Sequence, residues 1–158
     1  MKCFADRDEL YSAVGSYINS NCANNSNCIV GQTYGWPMNS WCVGNVTDMS
    51  HLFFGLFFGM EDFNEDISGW NTSSVMTMEG MFQSATSFNG NLSAWNTSSV
   101  TDMRRMFLSA TKFNQDLCSW GDSFPYNNAD SIFANSGCNF TSPPQFDQKG
   151  PFCASECK

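Results

Sequence analysis

Trp70-Asn-Thr-Ser-Ser-Val75…Met78…Met81-Phe82 is followed by Trp95-Asn-Thr-Ser-Ser-Val100…Met103…Met106-Phe107. Trp70, Trp95 and Trp120 stand 25 residues apart. Trp41 opens an earlier copy with Val46, Met49 and Leu52-Phe53, and four extra residues push its end out to Trp70. A fixed period of about 20–50 residues marks a stacked repeat array. Such arrays commonly work through a long binding face rather than a catalytic pocket.

Inside one repeat, Met103, Met106, Phe107 and Ala110 fall at i, i+3, i+4 and i+7, one face of two helical turns. Asp102 stands just before them as a helix N-cap, as do Asp48 and Thr77 in the other copies. The residues around each Trp are short and β-compatible. The pattern therefore predicts an α/β solenoid of strand-plus-short-helix coils, with Trp, Val, Met and Phe columns in its core. Asn64, Asn89 and Asn114 form a further column, expected to satisfy backbone amides of the neighbouring coil.

A single domain over 1–158 is expected. Residues 1–35 form an N-terminal helix and cysteine-loop cap, 36–121 the repeats, and 122–158 a degenerate repeat and C-terminal cap. Helix is predicted over 4–18, where Asp6 and Glu9 make a capping-box pattern. A polar loop follows over 19–35. Only 14% of residues are charged, and the net charge of −8 with seven Lys and Arg argues against nucleic acid.

The eight cysteines, Cys3, Cys22, Cys28, Cys42, Cys118, Cys138, Cys153 and Cys157, suit disulfides staple by staple at the two ends. Zinc ligation by Cys22 and Cys28, or Cys153 and Cys157, is the weaker reading, since the chain has one His. The first four cysteines precede the repeats or open the first coil, and the last four belong to its far end. Bridges are expected within each group, because stacked coils hold the ends beyond disulfide reach. Asn24, Asn45, Asn71, Asn91, Asn96 and Asn139 satisfy the glycosylation acceptor pattern. Both features suit an oxidising, secretory history, hence a secreted or cell-surface protein. No apolar run is long enough to span a bilayer. No apolar stretch lies behind Met1-Lys2, so a native leader is expected to have been removed ahead of Cys3.

Phe63-Asn-Glu-Asp-Ile-Ser-Gly-Trp70 and Phe113-Asn-Gln-Asp-Leu-Cys-Ser-Trp120, each followed or preceded by the Val…Met…Met-Phe pattern, resemble the BspA-like leucine-rich repeats, the mycoplasma-type surface-lipoprotein repeat. The likeness runs over roughly residues 4–120. It implies a leucine-rich-repeat-like solenoid on extracellular or cell-surface proteins, linked to adhesion and protein interaction. It carries over no catalytic residue. The chain departs from it in its cysteines and in the insert Phe53-Phe-Gly-Leu-Phe-Phe-Gly-Met60.

The polar chemistry is thin. His51 is the lone His and is expected on a surface helix position rather than in a catalytic group. Glu65, Asp66 and Asp116 recur near the strand entrance, but Gly90-Asn91 breaks a calcium ladder in the copy between them. Thr72-Ser73 and Thr97-Ser98 make a short hydroxyl array. The expected function is a non-enzymatic recognition or adhesion module without cofactor or metal. It would bind a protein or glycan through Ser68, Asn71, Ser93, Asn96 and Ser119. In the insert, Phe53 joins the core column and Leu56 replaces a repeat Ala. Phe54, Phe57, Phe58 and Met60 either fold back to seal the gap between the N-terminal helix and the first coil or stay exposed for a partner or a second copy. Two alternatives remain: an ice- or mineral-surface-binding protein using the Thr/Ser/Asn array, and a non-catalytic domain of a larger secreted enzyme.

Overall fold

The computed structural model describes residues 2–57 and 59–157. It opens with helix α1, Arg7–Asn19, whose N-cap Asp6 accepts the Glu9 amide at 2.9 Å. Leu10, Ala13, Val14 and Tyr17 turn its apolar side into the core. The capping box does not close on the Asp6 amide. Glu9 instead accepts from the Ala5 amide at 2.8 Å, from the Tyr34 hydroxyl at 2.9 Å and from the Lys2 ammonium. The polar segment after α1 is not all loop: a second helix α2, Ile29–Tyr34, forms there behind the Cys22–Cys28 bridge.

The expected strand-plus-helix coils do not form. Among the described residues there are isolated bridges but no strands, and the α-helices are α1 and α2, both ahead of the repeats. The reason lies in the backbone. His51, Gly80, Arg105 and Ser131 all have φ between +54 and +58, and Ser84, Ser109 and Asn135 lie between +55 and +61. A left-handed residue inside each would-be helix stops its i→i−4 ladder, because L-residues cannot continue a right-handed helix through it.

Turns take the helix's place. The amides of Met81, Gln83 and Ala85 donate three residues back, to Met78, Gly80 and Phe82. The alternate amides, of Met78, Gly80, Phe82 and Ser84, donate to Asp102, Arg104, Met106 and Leu108 of the next winding, at 2.8–2.9 Å. The same alternation links Met49, His51, Phe53 and Gly55 to residues 77–83, and Met103, Arg105, Phe107 and Ser109 to residues 128–134. Asp48, Thr77 and Asp102, expected as helix N-caps, close Asx- and Thr-turns on the amides two residues on, at 2.7, 3.3 and 3.0 Å. Along Met78 to Ala85 each amide finds a partner without a helix. Gly55 is needed for close approach, since a Cβ there would stand 1.8 Å from the Ser84 carbonyl oxygen.

The 25-residue register survives in the side chains. Trp41, Trp70 and Trp95 stack at 6.3 and 6.5 Å, and the indoles of Trp70, Trp95 and Trp120 donate to the preceding winding's Met38, Ile67 and Leu92 carbonyls. Phe53, Phe82, Phe107 and Phe133 form a second stack at 5.3–5.8 Å. Met49, Met78, Met103, Val75 and Ala110 are fully buried beside them, in one core that includes α1 and Phe152 of the tail.

All eight cysteines are paired, and the pairs stay within the two groups: Cys3–Cys42, Cys22–Cys28, Cys118–Cys157 and Cys138–Cys153. The Cα separations are 4.6–5.6 Å.

Glu9 makes the N-terminal cap pH-sensitive. Lys2 first, then the Ala5 amide and Tyr34, hold its carboxyl down to about 2. A depressed carboxylate stabilises the fold above its unfolded pKa of about 4.3 and loses that contribution as pH falls towards the folded value. Loosening of the Lys2–Glu9–Tyr34 contact is expected between about pH 4 and 2, read as chemical-shift changes at Tyr34 and Ala5. An unchanged Tyr34 environment across that range contradicts it.

Candidate functional site

The Asn and Ser residues of the expected binding face stand on the tight turns that follow and precede each Trp. Asn71 and Asn96 are exposed and occupy the same place in successive windings. Each folds into an Asx turn: Asn71 Oδ1 accepts from the Ser73 amide at 3.2 Å and its hydroxyl at 2.7 Å, and Asn96 Oδ1 from the Ser98 amide at 2.9 Å. The oxygen is engaged locally, and the Asn71 amide nitrogen lies beside Gly44 of the preceding winding, 3.1 Å from the place of a Cβ there. Ser68 and Ser93 are half-buried, with their backbone amides held by Asp66 and Asn91. Ser119 is exposed, but its hydroxyl donates to the Ser93 carbonyl at 2.7 Å. The five residues thus lie on successive turns, with Asn71, Asn96 and Ser119 the exposed ones.

The hydroxyl array is not a flat outer surface. Thr72 and Thr97 are 1% and 2% exposed. Thr72 donates to the Asn96 carbonyl at 3.0 Å, and Thr97 pairs with the Ser123 hydroxyl at 2.6 Å. Only Ser73 and Ser98 of the four keep an outward aspect. The Asn column acts as expected: Asn64, Asn89 and Asn114 each accept the amide of the Asn one winding on, at 2.9, 2.9 and 3.3 Å.

The carboxylates are dispersed over separate tasks. Asp66 takes the Ser68 amide and the Asn39 side chain, and Asp116 takes the Cys118 amide. His51 is not on a helix; it sits in a left-handed turn, edge-on to Phe54 at 5.9 Å. Its ring lies where a Gly80 side chain would be, 2.7 Å from the place of a Cβ.

The insert divides. Phe53 and Met60 are buried, whereas Leu56 is not in the Ala column but 74% exposed. Phe54 packs edge-on against Phe57, which is half-exposed, and Phe58 lies outside the described residues. The acceptor asparagines Asn24, Asn45, Asn71, Asn91, Asn96 and Asn139 are all exposed.

Two of the cavities among the described residues have no counterpart in the sequence reading. One, of about 600 Å³, lies at the C-terminal end between Val100, Pro125, Tyr126 and the exposed Phe146. The other, of about 230 Å³, lies beside the end of α1 and involves Tyr17 and Glu65. Tyr17 belongs to the apolar stripe of its helix, and nothing in that spacing distinguishes a cavity floor from core. No described helix is long and apolar enough to cross a membrane.

The family described as a Mycoplasma protein of unknown function, DUF285, matches residues 24–143, about three-quarters of the chain. No curated protein and no solved structure matches it.

Proposed function

This chain belongs to the mycoplasma-type repeat family DUF285, and we propose that it is a non-enzymatic recognition module, secreted or held at a cell surface, that binds a protein or glycan partner. The observation that carries this reading is the pair of exposed asparagines, Asn71 and Asn96, repeated at one winding's spacing on turns that their own side-chain oxygens close. Side chains already fixed in place lose little conformational freedom on binding, which favours affinity. The four disulfides favour an oxidising compartment. The shared Phe-Asn-x-Asp…Trp string supports a narrower kinship with BspA-like surface repeats, without their leucine-rich-repeat architecture.

The same two asparagines are glycosylation acceptors, and a glycan on either nitrogen would cover the face. Both roles are removed by Asn71→Asp with Asn96→Asp, which keeps the oxygen that closes each turn. Stability is expected to stay within about 0.5 kcal/mol. Capture of the partner, measured by glycan array and cell-surface pull-down, is expected to fall about tenfold, as for loss of well-placed hydrogen bonds. Undiminished capture by the double variant removes this face from the contact.

A further inference from the structure

The cavity of about 230 Å³ lies between the end of α1, the Cys22–Asn24 turn and residues 59–65. Its walls mix Ile18, Ala23 and Phe63 with Tyr17, Asp62 and Glu65. Tyr17 is 1% exposed, and its ring is fixed edge-on to Trp41 at 5.5 Å. Its hydroxyl makes no hydrogen bond of normal geometry among the described residues, although the Met38 amide lies near enough to pull on it. A buried unpaired hydroxyl costs about 1–3 kcal/mol, so it calls for an explanation.

The polar groups around it favour positive charge. Asn64 spends its oxygen on the Asn89 amide, and Asn21 spends its own on the Asn24 side-chain nitrogen, which leaves the two carboxylates, with the Asn24 oxygen, as the side-chain acceptors. The last turn of α1 carries no basic residue, so its carbonyl end adds negative potential. None of the described lysines and arginines lines the cavity. Burial raises the Glu65 pKa, as expected of a carboxylate lacking a cation. Burial, and next the Glu65 charge, raise that of Tyr17 against a smaller opposing pull from the Met38 amide.

We propose that this cavity binds the guanidinium of an arginine side chain on a partner protein. Its methylenes lie along Ile18, Ala23 and Phe63, its fork meets the Glu65 carboxylate, and one N–H donates to the Tyr17 oxygen. An arginine suits the site because its stem is apolar and its head is weakly hydrated and rich in donors. The chain's net charge of −8 would draw such a basic partner. The site uses neither Asn71 nor Asn96, so it stands or falls apart from the face they form.

The test is calorimetric titration with acetyl-Gly-Arg-Gly-amide against the same peptide carrying citrulline, its neutral isostere. The arginine peptide is expected to bind at least tenfold more tightly, and more weakly as salt rises to about 0.5 M. Glu65→Gln is expected to weaken it about tenfold. Tyr17→Phe separates site from scaffold: the variant should melt at the same or a higher temperature, having lost an unpaired hydroxyl, yet bind the peptide less well. Asn71→Asp with Asn96→Asp should leave the titration unchanged. Equal binding of the two peptides, absence of binding at millimolar concentration, or preference for calcium over the peptide overturns the proposal. So does unchanged affinity in Glu65→Gln or in Tyr17→Phe.

Discussion

Phe82→Ala is expected to destabilise the fold by about 3–5 kcal/mol, the usual range for emptying a large aromatic site. The ring is fully buried and lies at the crossing of two stacks. It faces Phe53 at 5.3 Å and Phe107 at 5.5 Å along the winding axis, and Phe88 at 4.1 Å across it. Trp95 leans on its edge at 6.3 Å. The backbone around it is pinned on both sides, because the Phe82 amide donates to Met106 and the Phe53 amide to Met81. The windings are therefore poorly placed to collapse into the space left behind, which puts the cost towards the upper end. For a chain of this length the melting point should drop by about 6–20 °C. Phe146→Ala is the control. That ring is 74% exposed, and its loss should stay within about 0.5 kcal/mol. A mild effect of Phe82→Ala, comparable with the control, would contradict the stacking register.

The columns were legible because burial imposes them directly. Trp70, Trp95, Val75, Met78, Met103 and Phe107 recur in the sequence at the spacing at which they stack. The conformation between columns was not legible. Met103, Met106, Phe107 and Ala110 face inward at helical spacing, but a chain of turns with every second amide lent to the next winding turns the same residues inward. What separates the two is the left-handed residue, and in the third copy that residue is Arg105, which carries no compositional sign of it. Gly80 in the preceding copy was the one hint. N-cap signals at Asp48 and Asp102 were equally ambiguous, since the same carboxylate geometry caps a helix or closes an Asx turn. Of the candidate site, the exposure of Asn71 and Asn96 could be read from their place beside a buried Trp. The fate of Thr72 could not, because alternation around the Trp turn is not strict and its hydroxyl finds a carbonyl one winding away. The Tyr17 cavity arises from the meeting of α1 with residues 59–65, a contact that no local pattern announces.

Reduction of the disulfides is expected to unfold the protein at room temperature. Cys3–Cys42 and Cys118–Cys157 each close a span of 39 residues, Cys138–Cys153 one of 15 and Cys22–Cys28 one of 6. In the chain-entropy account the two long bridges are worth about 4 kcal/mol each, the third about 3 and the shortest about 2. Their combined effect rivals the whole stability of an ordinary domain, about 5–15 kcal/mol. Position matters as much as loop length. A stack of turns has two open ends, and each bridge lies at one of them. Cys3–Cys42 ties the segment ahead of α1 to the first winding, where Phe4 also donates to the Cys42 carbonyl at 3.0 Å. Cys118–Cys157 and Cys138–Cys153 fasten the tail, which has little regular structure of its own, against the last windings. Losing one end exposes Trp41 or Trp120 to water and lets the next winding fray. Circular dichroism and tryptophan emission with and without a phosphine reductant read the outcome. Cys118→Ser with Cys157→Ser should lower the melting point by more than Cys22→Ser with Cys28→Ser, in line with the lengths of the loops they close. An unchanged melting curve with all eight thiols shown free by mass spectrometry would mean that the aromatic columns hold the stack unaided, and the case for an oxidising compartment would lose its physical basis.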